Sequence, residues 1–129
     1  MSGDTLRIAL LTHSVNPRGG VVHALELARA LHEAGSDVTV FAPAAPGDAM
    51  FRDVPCRVVL AHVGGRPRGV VEMVRARIAA MGHALLEHDA GRFDVLHAQD
   101  SITGNALAEL RQSGAIRGFV RTVHHLDVF

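Results

Sequence analysis

The opening run leaves little freedom of fold. Arg7-Ile-Ala-Leu-Leu-Thr12 is almost continuously apolar, and behind it come His13, a short polar loop, the pair Gly19-Gly20 and a segment from Val21 to Leu31. A strand buried on both faces shows such an unbroken run rather than alternation. After the glycines, Val22, Leu25, Ala28 and Leu31 recur at helical spacing, leaving Arg29, His32 and Glu33 for the outer side. Gly35 follows where a helix C-terminus favours glycine. Strand, loop and helix in this order form the first part of a βαβ unit, so the sheet is expected to be parallel.

The rest of the chain repeats the alternation. Further strands are predicted at Asp37–Phe41 (ended by Pro43 and Pro46), Cys56–Leu60, Phe93–Ala98 and Gly118–Val123. A helix is predicted over Val70–His88, with Val70, Val74, Ile78, Met81 and Leu85 as its apolar stripe and Gly91 closing it. Another begins at Asp100 or Ser101 and ends near Gly114. Parallel crossovers are right-handed almost without exception. The expected fold is therefore α/β: a doubly wound parallel sheet, Rossmann-like, strand order 3-2-1-4-5. Apolar residues make up 48% of the 129, enough to fill one core, so a single domain over residues 1–129 is expected. The chain stops at Phe129 soon after its last strand with no closing helix, and it reads as truncated there.

Composition excludes several functions. The 13 basic residues balance the 13 acidic ones, and no basic stripe is evident, so nucleic acid is not an expected partner. The pairs Arg66/Arg68 and Arg75/Arg77 read as a solvated helix start, with contact to a membrane surface as the second reading for Arg75 and Arg77. Cys56 is the single cysteine; it forms no internal disulfide and reads as a small buried hydrophobe opening its strand. No secretory signal precedes the first strand, and no apolar run reaches the ~20 residues of a membrane span. A cytoplasmic location, with peripheral contact to the inner membrane as an addition, is the expectation.

The residues able to do chemistry collect at the carboxyl ends of the strands, where ligands of such sheets bind. Gly19 and Gly20 allow close approach to bare backbone N–H groups at a helix N-terminus, a natural seat for a phosphate or diphosphate. The other reading is a plain strand-to-helix turn. The loop fits neither GxGxxG nor GxxxxGK[ST], which argues against simple dinucleotide oxidoreductases and P-loop NTPases. His124 ends the last strand and can hydrogen-bond a phosphate oxygen or a sugar hydroxyl; His125 points the other way, and Asp127 could orient either ring. His97 lies within its strand and reads as a satisfied buried histidine. Asp100 either holds a substrate hydroxyl or caps the next helix. Gly104 allows close packing or ligand approach. His13, Gly20, Asp100 and His124 come from three strand ends and could converge on one crevice. Neither HExxH nor a cysteine pair is present, and no metal is expected. No GxSxG elbow occurs either.

Three segments resemble one family. The first strand with Gly19-Gly20 and the run to Val40, then Phe93-Asp-Val-Leu-His-Ala-Gln-Asp100, then Arg121-Thr-Val-His-His125 are similar to the amino-terminal domain of family 4 glycosyltransferases of the GT-B fold. The resemblance covers nearly the whole chain. It implies half of a two-lobed enzyme that moves a sugar from a nucleotide-sugar to an acceptor hydroxyl, with retention and without a bound metal or other cofactor. It implies that Gly19 and Gly20 approach the donor diphosphate and that the catalytic His124 reaches the donor sugar or phosphate. His13 and Asp100 are expected on the acceptor side, facing a small molecule, glycan or lipid. The second, donor-binding domain with its E-x7-E glutamates is absent from this chain, so the isolated polypeptide is expected not to transfer sugar. The alternative from another class is a non-catalytic flavodoxin-like binding domain. A metal-dependent hydrolase built on the histidines is a further rival.

Overall fold

The computed structural model describes residues 5–123. In chain order its elements are β1 (Arg7–Leu11), α1 (Gly19–Glu33), β2 (Asp37–Ala44), β3 (Arg57–His62), α2 (Val70–Glu87), a 3-10 turn (Ala90–Arg92), β4 (Val95–Ala98), α3 (Ser101–Gln112) and β5 (Val120–Arg121). The five strands form one parallel sheet in the order β3-β2-β1-β4-β5. This is the doubly wound, Rossmann-like arrangement that the alternation predicts.

Burial of β1 on both faces organises the core. Side chains alternate across a strand. Ile8 and Leu10 pack with Val38, Val40 and with Leu25 and Ala28 of α1. Ala9 and Leu11 point the other way, into a cluster holding Met81 and Leu85 of α2 and Leu107 and Leu110 of α3. Thus α1 covers one face, and α2 with α3 covers the other. Phe41 anchors the second cluster, with the rings of Phe93 and His88 edge-on at 5.8 and 5.9 Å. At the amino edge, Arg7 N–H donates to Asp94 Oδ2 at 2.8 Å, and Asp94 N–H donates to Arg7 O at 2.7 Å. The Arg7 N–H, more than its guanidinium, holds the Asp94 carboxyl below its ordinary range.

Helix ends follow local chemistry. Gly35 takes φ +99° after α1, with Ser36 N–H donating to Leu31 O and Gly35 N–H to His32 O. Gly114 takes φ +86° after α3, with Ala115 N–H donating to Leu110 O. Both are Schellman-type stops. After α2 the left-handed residue is Asp89 (φ 55°), not Gly91, which lies in the 3-10 turn. Aspartate tolerates that conformation better than most side chains.

Several boundaries differ from those the sequence predicts. β2 runs through Pro43 to Ala44, three residues past the expected end. Phe41 O accepts from Thr12 N–H, so residue 43, of the same parity, also faces β1. Pairing with β1 has ended by then, while pairing with β3 on the other side runs on to Ala44, so the N–H that proline lacks removes no bond to β3. β4 starts at Val95, two residues later than expected, with Phe93 and Asp94 linking it to the 3-10 turn, and β5 is only two residues long. Cys56 stands just ahead of β3 and is half-buried against the α1-side cluster; burial pushes its thiol pKa up. The buried face of α1 is Val21, Ala24, Leu25 and Ala28, with Val22 at its margin.

The largest departure is in α2. Met81, Ala84 and Leu85 are buried, but Val70 is 71% exposed and Val71 67% exposed. Along the predicted stripe burial rises from exposed Val70 through half-buried Val74 and Ile78 to buried Met81 and Leu85. No helix among the described residues is long and apolar enough to cross a membrane. Leu85→Ala is expected to lower the free energy of unfolding by about 2–5 kcal/mol, the usual range for a buried leucine. Val70→Ala is expected to change it by less than about 0.5 kcal/mol. Urea denaturation measures both, and equal losses would contradict this burial pattern.

Candidate functional site

The chain leaves β1 towards β2 on one side and later returns to β4 on the other. Loops after β1 and β4 therefore diverge, opening a crevice at the carboxyl edge. His13 stands just beyond β1 and Asp100 just beyond β4. Their side chains meet across this switch point, His13 Nδ1 lying 3.3 Å from Asp100 Oδ2. The floor beneath is tightly made. Gln99 N–H donates to Leu11 O at 3.0 Å, and Thr12 N–H donates to Phe41 O at 3.0 Å. Thr12 is fully buried, and its Oγ1 has no hydrogen-bond partner among the described residues.

Asp100 is fixed by the helix that it starts. Its Oδ1 accepts from Thr103 N–H at 2.8 Å and from Thr103 Oγ1 at 3.1 Å. The helix-cap reading of Asp100 therefore holds, and the same carboxyl group also meets His13. Oδ2 is sealed from solvent and accepts no well-aligned hydrogen bond from any described residue; the His13 ring is its near neighbour. A buried carboxylate oxygen short of a donor is costly, which favours a donor brought to it by the imidazole. The ring is more exposed than the carboxyl group behind it.

The glycine pair begins α1, directly after the loop that carries His13. The Arg18 side chain does not cap this helix, no other described side chain accepts from its first N–H groups, and its first turn holds no acidic residue. Its amino-terminal N–H groups and partial positive charge are thus left without a side-chain acceptor. Neither glycine has positive φ, and a Cβ added at Gly19 would meet nothing within 4 Å. The local fold does not require glycine at position 19. A plain turn therefore supplies no steric reason for Gly19, whereas close approach of a ligand to the backbone does.

On the α2 face a cleft of about 190 Å³ lies between the ends of β1, β2 and β3 and the helix. Val15, Pro43, Val63 and Met73 form apolar walls, and Arg77 reaches in among them. Arg77 Nη1 donates to His13 O at 3.5 Å, which connects cleft and crevice. The reading of the arginine pair as solvated helix surface holds for Arg75, which is exposed, and fails for half-buried Arg77. The missed signal was spacing: Arg77 lies one turn before buried Met81 and one turn after Met73, on the inward face of the helix.

The remaining expectations fall as follows. His97 Nε2 and Thr122 Oγ1 are 2.6 Å apart, so His97 is satisfied within the sheet. Arg121 Cδ lies 3.3 Å from where a Cβ on Gly104 would be, so Gly104 serves close packing. His124, His125 and Asp127 lie outside the described residues. No group of three His, Cys, Asp or Glu suited to a metal ion occurs among the described residues.

Asp100→Ala is expected to cost about 1 kcal/mol of stability through loss of the cap. Asn can cap equally well, so Asp100→Asn is expected to keep nearly all of it while changing the contact with His13. Chemical denaturation of the two variants side by side measures this, and equal destabilisation would contradict the cap.

No curated protein matches the chain. A family model described as "Glycosyl transferase 4-like domain" matches residues 18–128. That span takes in Gly19, Gly20, Arg77 and Asp100, and it begins after His13. With a match over most of its length on a five-stranded parallel sheet of this order, the chain belongs to the glycosyl transferase 4-like domain family.

Proposed function

We propose that this domain is the acceptor-side lobe of a retaining glycosyltransferase of the GT-B type. The enzyme would move a sugar from a nucleotide-sugar donor to an acceptor hydroxyl. The observation that carries this reading is the His13–Asp100 contact across the switch point, beside the uncapped start of α1. The N–H groups at Gly19 and Gly20 receive the donor diphosphate, whose charge matches the helix N-terminus. Asp100, held by Thr103, orients the His13 imidazole, and the ring hydrogen-bonds the acceptor hydroxyl. His124 acts on the donor sugar or phosphate; this role, like retention, rests on family resemblance. No step in this scheme uses a bound metal. A reducing, cytoplasmic setting fits a chain whose single Cys56 has no internal partner.

Departure of the nucleoside diphosphate needs positive charge where negative charge develops. The glycine amides supply part of it, and a second, donor-binding lobe supplies the rest. Release of nucleoside diphosphate, measured with both lobes present, tests the scheme. His13→Ala and Asp100→Asn are expected to lower kcat/KM by about tenfold or more, the worth of one charge-assisted hydrogen bond. Gly19→Leu is expected to raise KM for the donor. The lobe alone is expected to show only background turnover. Full activity in His13→Ala, or robust transfer by the lobe alone, would overturn the scheme.

A further inference from the structure

We infer that the acceptor carries an anionic group, phosphate or carboxylate, and that Arg77 selects it. The inference rests on the acceptor-side reading above and adds the substrate class. Three other arginines sit beside carboxylates: Arg7 by Asp94, Arg29 by Glu33 and Arg52 by Glu26. Arg77 is half-buried, and among the described residues no carboxylate lies within ion-pair distance of it. A guanidinium offers five N–H donors in a rigid fork. Here one is committed, to His13 O. The carboxylate at the cleft, Asp48, accepts instead from Ala45 N–H at 3.2 Å, within its own loop.

The surroundings strengthen the case. The walls around Arg77 are largely apolar, so water screens its charge less than on an open surface. A half-buried cation with no counter-ion among the described residues is unfavourable, and an incoming anion relieves that cost. The fork matches the paired oxygens of a phosphate or carboxylate. The cleft, about 190 Å³, accommodates a small group and not a folded partner. Its contact with the His13 carbonyl sets the bound anion close to the imidazole proposed to hold the reacting hydroxyl. The glycine amides begin the helix on the opposite face of the sheet, so Arg77 and the proposed diphosphate seat are separate positions.

The test is NMR titration of the chain with glycerol 3-phosphate, glycerate and glycerol, reading the Arg77 Nε–H signal and the amides of Val63 and Gly65. Either anion is expected to shift these signals saturably, and glycerol is not. A response to glycerol 3-phosphate alone assigns phosphate; a response to glycerate alone assigns carboxylate. Arg77→Gln is expected to weaken binding about tenfold or more. Arg75→Gln, at an exposed position outside the cleft, is expected to bind as the parent does. Arg77→Lys keeps the charge and is expected to retain the preference for anions over glycerol, which separates charge loss from misfolding. Equal response to glycerol, no response to either anion, or undiminished binding in folded Arg77→Gln would overturn the inference. Because the readout is binding, its failure would leave the transfer reading standing. Full activity in His13→Ala, which would overturn the transfer scheme, would leave an anion site at Arg77 standing.

Discussion

Burial of β1 on both faces is the constraint from which the site follows. Ile8 and Leu10 commit one face to α1, and Ala9 and Leu11 commit the other to α2 and α3. The strand must then lie at the centre of the sheet, with chain departing to one side and returning on the other. That topology alone opens the crevice beyond its carboxyl end. His13 is placed there because it follows the buried run, and Asp100 because β4 pairs with β1 in the register Leu11 to Ala98.

Stability and the proposed recognition use the same atoms at this edge. The Asp100 carboxyl group caps α3 through one oxygen and meets His13 through the other. The cap fixes the carboxylate, so the His13 ring, carried on the loop after β1, meets a partner held at the start of a helix. At the start of α1 the relation is reversed. No described side chain satisfies the helix end, and Gly19 occupies a position where the backbone could accept a side chain. Natural helices gain about 1 kcal/mol from an N-cap. Its absence here leaves the helix charge unspent and available to an anion.

The sheet order, the helices and the carboxyl-edge placement of His13 and Asp100 were legible because each depends on local pattern. Apolar runs, Gly35 and Gly114 mark their elements by chemistry that neighbours do not override. Other features depend on distant contacts. Pro43 stays in β2 because its missing N–H faces away from β3, with which pairing continues to Ala44, a fact about a partner strand. Val70 is exposed although it lies on the stripe of Met81 and Leu85, because burial depends on what packs opposite, which helical spacing cannot reveal. Arg77 looked like its exposed neighbour Arg75 because charge alone does not say which side of a helix meets a cleft; the methionines a turn away on either side do. His124, the residue on which the resemblance places most of the chemistry, lies outside the described residues.

The central claim is that the carboxyl edge beside β1 receives a diphosphate at the amino end of α1. Backbone amide shifts of the chain titrated with a nucleoside diphosphate test it most directly. The account expects the largest changes at Gly19, Gly20 and Val21, with a smaller change at His13. Changes concentrated at the opposite edge, around Gly114 and Gly118, with the glycine pair silent, would contradict it.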